Sequence, residues 1–258
     1  MSTKNLSSKV KFFFHKIEYY NLFTFRVSQF LRKYIFRRSF WNPLTSFSQL
    51  GEDLAIRKLV RGSDCKIFLD IGSFHPLKYS NTRLLKNNNW RGVHVDASKA
   101  SYKLFKKIYP QDLSVNAIIS NTNNLSFEHL KYNEIFPKNM ISTINDQKYN
   151  LNNHVQKNKN IQNVDILSSI NLYNKCNEYF GLELDTIGFL NLDVEGLELD
   201  FLRGWPIKKC TFQFVCVENH VSNLEELIKT KLHIWFLNHG YRLVYFFKFS
   251  TIYQYNPN

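Results

Sequence analysis

The sequence has few cysteines, and no pattern organises them. The 258 residues contain only Cys65, Cys176, Cys210 and Cys216. No two of them form a CxxC pair and none stands at zinc-site spacing from a histidine, which excludes a zinc finger and a disulfide framework. Cys210 and Cys216 bracket an apolar run, where cysteine acts as a small hydrophobic side chain. We predict reduced, structural thiols, as in a cytoplasmic protein.

Long apolar runs are also missing. No stretch approaches the roughly 20 apolar residues that a membrane-spanning helix needs. The apolar residues of 10–36 are interrupted by Lys, Arg and Glu, unlike the core of a signal peptide. The composition is nevertheless 44% hydrophobic, which is enough for one sizeable core. We therefore expect a globular cytoplasmic protein.

Acidic residues are scarce at the start of the chain, where Glu18 is the only one among the first 40 residues. Aromatic and basic residues alternate there, and no Pro or Gly occurs before Pro43. We predict a basic helical extension over 1–45 and a main domain over 46–258. Two interpretations of the extension stay open. It contacts an anionic membrane surface or a partner protein, or it is a helical pair packed on the main domain.

From residue 46 onward, short apolar runs alternate with helical patterns. Strands are predicted over 66–72, 92–98, 112–120, 186–196 and 210–220, with a terminal hairpin over 241–255. This alternation indicates βαβ units and a mostly parallel sheet. Ligands of such sheets bind outside the carboxyl ends of the strands.

Four of the five predicted strands end in acidic residues. These are Asp70, Asp96, the pair Asp193 and Glu195, and Glu218. Because the carboxyl ends of parallel strands meet at one edge, the sequence predicts a shared acidic edge. Glu198 and Asp200 fall on the following helix, and we assign them to packing.

The first turn, "DIGSFHP", favours a nucleoside cofactor without a pyrophosphate. It has one glycine, Gly72, where a dinucleotide fingerprint has three. That glycine permits a tight turn. Asp96 follows at a spacing suited to accepting hydrogen bonds from ribose hydroxyls.

Six segments, in order, resemble FkbM-type S-adenosylmethionine-dependent methyltransferases. They are "SQLGEDL", "FLDIGSFHPLKYSNT", "NNWRGVHVDAS", "ISTIND", "FLNLDVEGLELDFLRGW" and "FVCVEN". The resemblance implies a class I methyltransferase fold, a Rossmann-like seven-stranded sheet with a reversed last strand and helices on both faces. It implies that S-adenosylmethionine is bound by Asp70, Gly72, Ser73, Asp96, Ala97, Asn116, Ala117 and Asp193.

A metal site is a second expectation at the acidic edge. Asp193 with Glu218 and Asn219 resembles the metal triad of catechol- and macrolide-type O-methyltransferases, and oxygen ligands suit Mg²⁺ or Mn²⁺. The alternative is that Asp193 and Glu218 hold substrate hydroxyls without a metal. Three residues are candidates for the base that takes the acceptor's proton: Glu195, His220 and His75.

Polar residues near the first turn and in an irregular segment are candidates for substrate binding. Ser80 and Asn81 stand at the start of a predicted helix over 80–88 that faces the cofactor turn. Ser142 and Thr143 belong to "ISTIND", inside the irregular region 121–165, which we interpret as a lid or substrate loop.

Three classes of function remain. The first is O-methylation of a sugar hydroxyl, in a nucleotide-activated sugar or a surface-glycan precursor, because an acidic edge suits a polyol. The net charge of +13 raises the second, a nucleic-acid methyltransferase. No NPPY-like motif follows the fourth strand, however, and an acidic edge repels phosphates, so we expect no nucleic-acid partner. The third is a non-catalytic binding module, which the combined retention of the strand-end acids disfavours.

Overall fold

The computed structural model describes residues 23–27, 45–121, 132–133, 161–162 and 164–256. The chain divides into two units, Met1–Ser46 and Phe47–Asn258. In the first unit, residues 23–27 are helical, and almost all of the predicted basic extension lies outside the described residues. Ser142 and Thr143 lie outside them too. Within the described part of the chain, no helix is both long and apolar enough to cross a bilayer.

The second unit alternates helices with strands. The strands are β1 Ile67–Ile71, β2 Arg91–Asp96, β3 Leu113–Ile119, β4 Tyr132–Asn133, β5 Ile161–Gln162, β6 Asp165–Leu167, β7 Thr186–Leu192, β8 Thr211–Glu218, β9 Tyr241–Phe246 and β10 Ser250–Tyr255. The helices are α1 Glu52–Leu59, α2 Arg83–Lys86, α3 Lys99–Ile108, α4 Ser169–Phe180, α5 Glu198–Gly204, α6 Leu224–Leu227 and α7 Lys231–Asn238. The helix expected over 80–88 is thus limited to the short α2.

Eight strands form one sheet in the order β6-β3-β2-β1-β7-β8-β10-β9. The first six in this order pair in parallel, while β10 pairs antiparallel with both β8 and β9. The mixed α/β architecture is confirmed, but the expected number of seven strands is wrong. The additional strand is β6, whose three residues pair with Ala117–Ile119 at the open edge of β3.

Apolar side chains cover both faces of the sheet. Neighbouring residues of β1 belong to different core clusters: Phe68 packs with Ile56 of α1, and Leu69 packs with Leu172 of α4. Successive side chains of a strand point to opposite faces, so helices lie on both sides. This double burial explains why the central strands read as continuous apolar runs rather than alternating ones.

The centre of the sheet is the pairing of β1 with β7. Along the chain, the connection after β1 leads to β2 on one side, and β7 continues to β8 on the other. The carboxyl ends of β1 and β7 therefore flank the switch point where crevices form in such sheets. Gly72 (φ +79°) follows β1, and a Cβ there would overlap the carbonyl oxygen of Asp193, which follows β7.

We predict that Gly72→Ala lowers the free energy of unfolding by at least about 3 kcal/mol, because it combines a positive φ with a backbone overlap. Gly181→Ala is the matched control: its φ is +68°, but its Cβ would meet open space, and it should cost only about 1 kcal/mol. Urea unfolding measures both. Equal losses in the two variants would contradict a close approach of the two loops.

Candidate functional site

A buried carboxylate lies beneath the edge formed by the strand ends. Asp70 is buried, and its carboxylate accepts hydrogen bonds from Thr82 Oγ1 (2.7 Å) and Asn191 Nδ2 (2.9 Å). The side-chain oxygen of Asn191 in turn accepts from Asn81 Nδ2 at 2.9 Å. Asp70 and Asn81, which were expected to contact cofactor and substrate, therefore belong to one hydrogen-bond network. Asn191 joins them in this network and was not singled out from the sequence.

His94 stands behind Asp70 and was assigned no role from the sequence. Its Nδ1 lies 3.8 Å from the Asp70 carboxylate and its Nε2 lies 3.1 Å from Asp112. Burial alone would lower the pKa of His94, but these two carboxyls outweigh burial and raise it. Lys86 Nζ also lies 2.7 Å from Asp112. His94 thus connects Asp70 to Asp112 inside the protein.

The turn after β1 is bound to the end of β2. The amides of Gly72 and Ser73 donate to Val95 O at 2.9 and 3.2 Å. The Asp96 carboxylate accepts from the amides of Phe74 and Ser98, both at 2.7 Å. These two bonds hold the half-buried Asp96 carboxylate between the turn after β1 and the residues that lead into α3.

Asn116 supports this end of β2 from the neighbouring strand. Its Nδ2 donates to the carbonyl oxygens of Asp96 and Ala97, both at 2.9 Å. Ala117 beside it is buried. From β3, Asn116 thus holds the backbone at the end of β2, where Asp96 and Ala97 follow each other.

His75 and Ser80 shape the segment after the turn. His75 is buried, and its Nδ1 accepts from the amides of Leu77 (3.1 Å) and Lys78 (3.3 Å). This pattern assigns the proton of the neutral ring to Nε2 and leaves Nδ1 unavailable as a base. The buried Ser80 accepts from the amide of Arg83 at 3.1 Å and so caps the start of α2.

The acidic residues after β7 and β8 do come together. Glu195, Glu218 and His220 each offer one ligand atom, and these atoms lie within 4.8 Å of one another. Glu218 Oε2 is 3.5 Å from His220 Nε2 and, among the described residues, it forms no hydrogen bond. Glu195 is held at φ +53°, a conformation that costs a non-glycine residue about 1–2 kcal/mol. Such strain is common at functional sites.

The carboxyls of this cluster resist ionisation. Burial and then the repulsion of Glu195 raise the pKa of Asp193, and burial and then the repulsion of Asp193 raise that of Glu218. The two carboxyls are close enough for a hydrogen bond, and neighbouring carboxyls disfavour each other's ionisation. Burial also raises the pKa of Glu195, which His220 opposes and Glu198 reinforces.

The side-chain oxygen of Asn219, an expected metal ligand, forms a hydrogen bond within its own loop. Its side-chain Oδ1 accepts from the backbone N–H of Val221 at 3.3 Å. Its backbone N–H donates to Phe249 O at 2.9 Å. The amide oxygen is thus engaged in the loop. Among the described residues, Glu195, Glu218 and His220 form an acid–histidine group that could hold a metal, and the expected set of Asp193, Glu218 and Asn219 stays a prediction.

The sheet order, the reversed β10 and the site at the switch point together define an α/β protein compatible with a class I methyltransferase. A comparison with protein families agrees: the family described as "Methyltransferase FkbM domain" matches residues 70–243. The chain therefore belongs to the FkbM methyltransferase family, and this membership implies S-adenosylmethionine as the methyl donor. A comparison with curated proteins gave no match.

We predict that Glu218→Gln stabilises the fold at pH 8 and raises the melting temperature by about 2–6 °C. The folded pKa of Glu218 lies above its unfolded value, so ionisation lowers stability as the pH rises between the two. The gain should shrink towards pH 4, near the unfolded pKa.

Thermal denaturation from pH 4 to pH 8 provides the measurement, with the exposed Glu225→Gln as control. A melting temperature of Glu218→Gln below that of the wild type at pH 8 would show that neighbouring acids do not raise the pKa of Glu218.

Proposed function

We propose that this protein transfers the methyl group of S-adenosylmethionine to a sugar hydroxyl, in a nucleotide-activated sugar or a surface-glycan precursor. The observation that carries the proposal is the acidic cluster of Asp193, Glu195 and Glu218 at the ends of β7 and β8, next to the turn after β1. Carboxylates are good acceptors for the hydroxyls of a polyol. The net charge of +13 favours a phosphate-bearing form of the sugar.

The residues of the β1 turn fit the cofactor. Gly72 and Ser73 form a tight turn, and the Asp96 carboxylate at the end of β2 is bound to the amide of Phe74 in the same turn, which is the position expected for an acceptor of ribose hydroxyls. When bound, the cofactor would supply a sulfonium methyl: the acceptor oxygen would bond to the methyl carbon in line as the carbon–sulfur bond breaks, and S-adenosylhomocysteine would leave. The chain's own task is to hold the hydroxyl about 3 Å from that carbon and to take up its proton.

Glu195 is the carboxylate we propose as the base. The residue is exposed, so an acceptor can reach it, and partial desolvation of its carboxyl together with repulsion from Glu198 raises its pKa, which makes the carboxylate a stronger base. His75 is less suited because Nδ1 accepts two backbone bonds. His220 is exposed and adjoins Glu218, which favours a role in binding a cation.

A divalent cation on Glu195, Glu218 and His220 is a further part of the proposal. Two carboxylates and one imidazole fit Mn²⁺ better than Mg²⁺, which prefers oxygen ligands alone. Among the described residues, Glu218 Oε2 has no hydrogen-bond partner, and this together with the mutual repulsion of the acids favours a cation here. When bound, the cation lowers the pKa of a coordinated hydroxyl.

Methylation of nucleic acid is the less supported function. The positive net charge is its only argument, because the acids at the ends of β7 and β8 would repel a phosphate backbone. A mixture of nucleotide-activated sugars with S-adenosylmethionine, analysed by mass spectrometry, should show a product that has gained one methyl group. Methyl incorporation into RNA with none into sugars would refute the proposal.

We predict that Glu195→Gln lowers kcat by about 10²-fold or more, because the acceptor's proton loses its base. The KM for S-adenosylmethionine should change little, since Glu195 lies on the acceptor side. Steady-state kinetics with a sugar that gains a methyl group in the mass-spectrometric screen are the measurement. Glu183→Gln, on an exposed site in the α4–β7 connection, is the control. Unchanged turnover in Glu195→Gln would remove this assignment.

Removal of metal ions by a chelator tests whether methyl transfer requires a bound cation or only Glu195 as the base. We expect EDTA to abolish transfer, Mn²⁺ to restore it, and His220→Ala to weaken Mn²⁺ binding about 10-fold or more, as followed by electron paramagnetic resonance. Full activity in excess EDTA would exclude the cation and leave Glu195 as the base alone.

A further inference from the structure

The turn between β7 and α5 has an unusual backbone. Glu195 (φ +53°) and the next residue, Gly196 (φ +101°), are both left-handed. A Cβ at Gly196 would meet nothing within 4 Å, so steric crowding at Gly196 is not what shapes the turn. Another interaction must therefore hold Glu195 in a conformation that a side chain disfavours.

Glu198, the first residue of α5, provides that interaction. Its Oε1 accepts from the amide of Val194 at 3.2 Å and from the amide of Gly196 at 3.1 Å. These two amides flank Glu195, so one carboxylate oxygen clamps the backbone on both sides of it. Glu198 is buried, and hydrogen bonds to a carboxylate are stronger than those between neutral groups.

The position of Glu198 is electrostatically unfavourable, because three other acids lie near its carboxylate. A role that only stabilises the fold would not call for a fourth acid there. Glu198 adds to the repulsion among Asp193, Glu195 and Glu218 and raises the pKa of each. Other groups in the cluster include His220, which opposes the shift at Glu195. The same hydrogen bonds could be made by a neutral glutamine.

We propose that Glu198 is a positioning residue for methyl transfer: its carboxylate fixes the turn 193–196 so that Glu195 stays left-handed and faces Glu218 and His220. The effect on transfer rests on the proposed function. The effect on the turn does not, so the two can fail separately.

Hydrogen exchange and crystal structures of Glu198→Ala and Glu198→Gln test the turn. In Glu198→Ala, the amides of Val194 and Gly196 should exchange more than about tenfold faster, because they lose their acceptor. Glu195 should also leave its positive φ. Glu198→Gln keeps an acceptor oxygen and should restore both. Unchanged exchange and an unchanged φ in Glu198→Ala would overturn the proposal whether or not the protein transfers methyl groups.

Kinetics with a pool of nucleotide-activated sugars test the consequence. Glu198→Ala should lower kcat about 10- to 100-fold, because misplacing a reacting group is costly, while the KM for S-adenosylmethionine stays the same. Glu198→Gln should recover most of kcat, and Glu183→Ala, an exposed control, should match the wild type. A loosened turn with full kcat would overturn the positioning role. A wild type without transfer would refute the proposed function alone, and the exchange data would then decide on the turn.

Discussion

The buried carboxylate of Asp70 is the constraint on which the rest of the site depends. A buried charge without partners costs several kcal/mol, and Asp70 meets its partners from three directions: Thr82 before α2, Asn191 on β7 and His94 on β2. Because Asp70 and Asn191 are paired in register, satisfying this one group aligns β1 with β7. The turns that follow these two strands are then brought together.

This alignment explains how close the two loops are. The amide of Asp193 donates to Ile71 O at 3.0 Å, which continues the pairing of β1 and β7 beyond their ends. Gly72 must lack a side chain because the carbonyl of Asp193 occupies its space. The turn after β1 and the loop that begins the acidic cluster are therefore in direct backbone contact.

Part of this arrangement could be predicted from the sequence. Asp193, Glu195 and Glu218 end apolar runs, and parallel strands bring such ends together whatever the details of the loops. The orientation of Asn219 could not be predicted, because it depends on a bond to Val221 within its own loop. The clamp by Glu198 depends on a left-handed Glu195, which sequence does not indicate for a non-glycine residue. An acid three residues after Glu195, at the start of a helix, was the available signal.

Contacts between residues on different elements could not be predicted from the sequence either. His94 is an ordinary strand residue until Asp112 and the neighbouring strand's Asp70 are placed beside it. The strand β6 has only three residues and no periodicity of its own, so its pairing with β3 follows from the return of the chain to that edge. In both cases tertiary pairing supplies information that local patterns lack.

Glu218 is the residue that joins the two chemical roles of the site. Burial and then the charge of Asp193 raise its pKa, and one of its oxygens lies within 4.8 Å of ligand atoms of Glu195 and His220. A cation on Glu195, Glu218 and His220 would favour the ionised form of Glu218, so cation binding and the charge of the neighbouring Asp193 would be linked. The acids destabilise the fold when ionised, and a cation or a hydrogen-bonding polyol would relieve that repulsion. Clusters of like charges that lower the stability of the fold are typical of ligand-binding and catalytic sites.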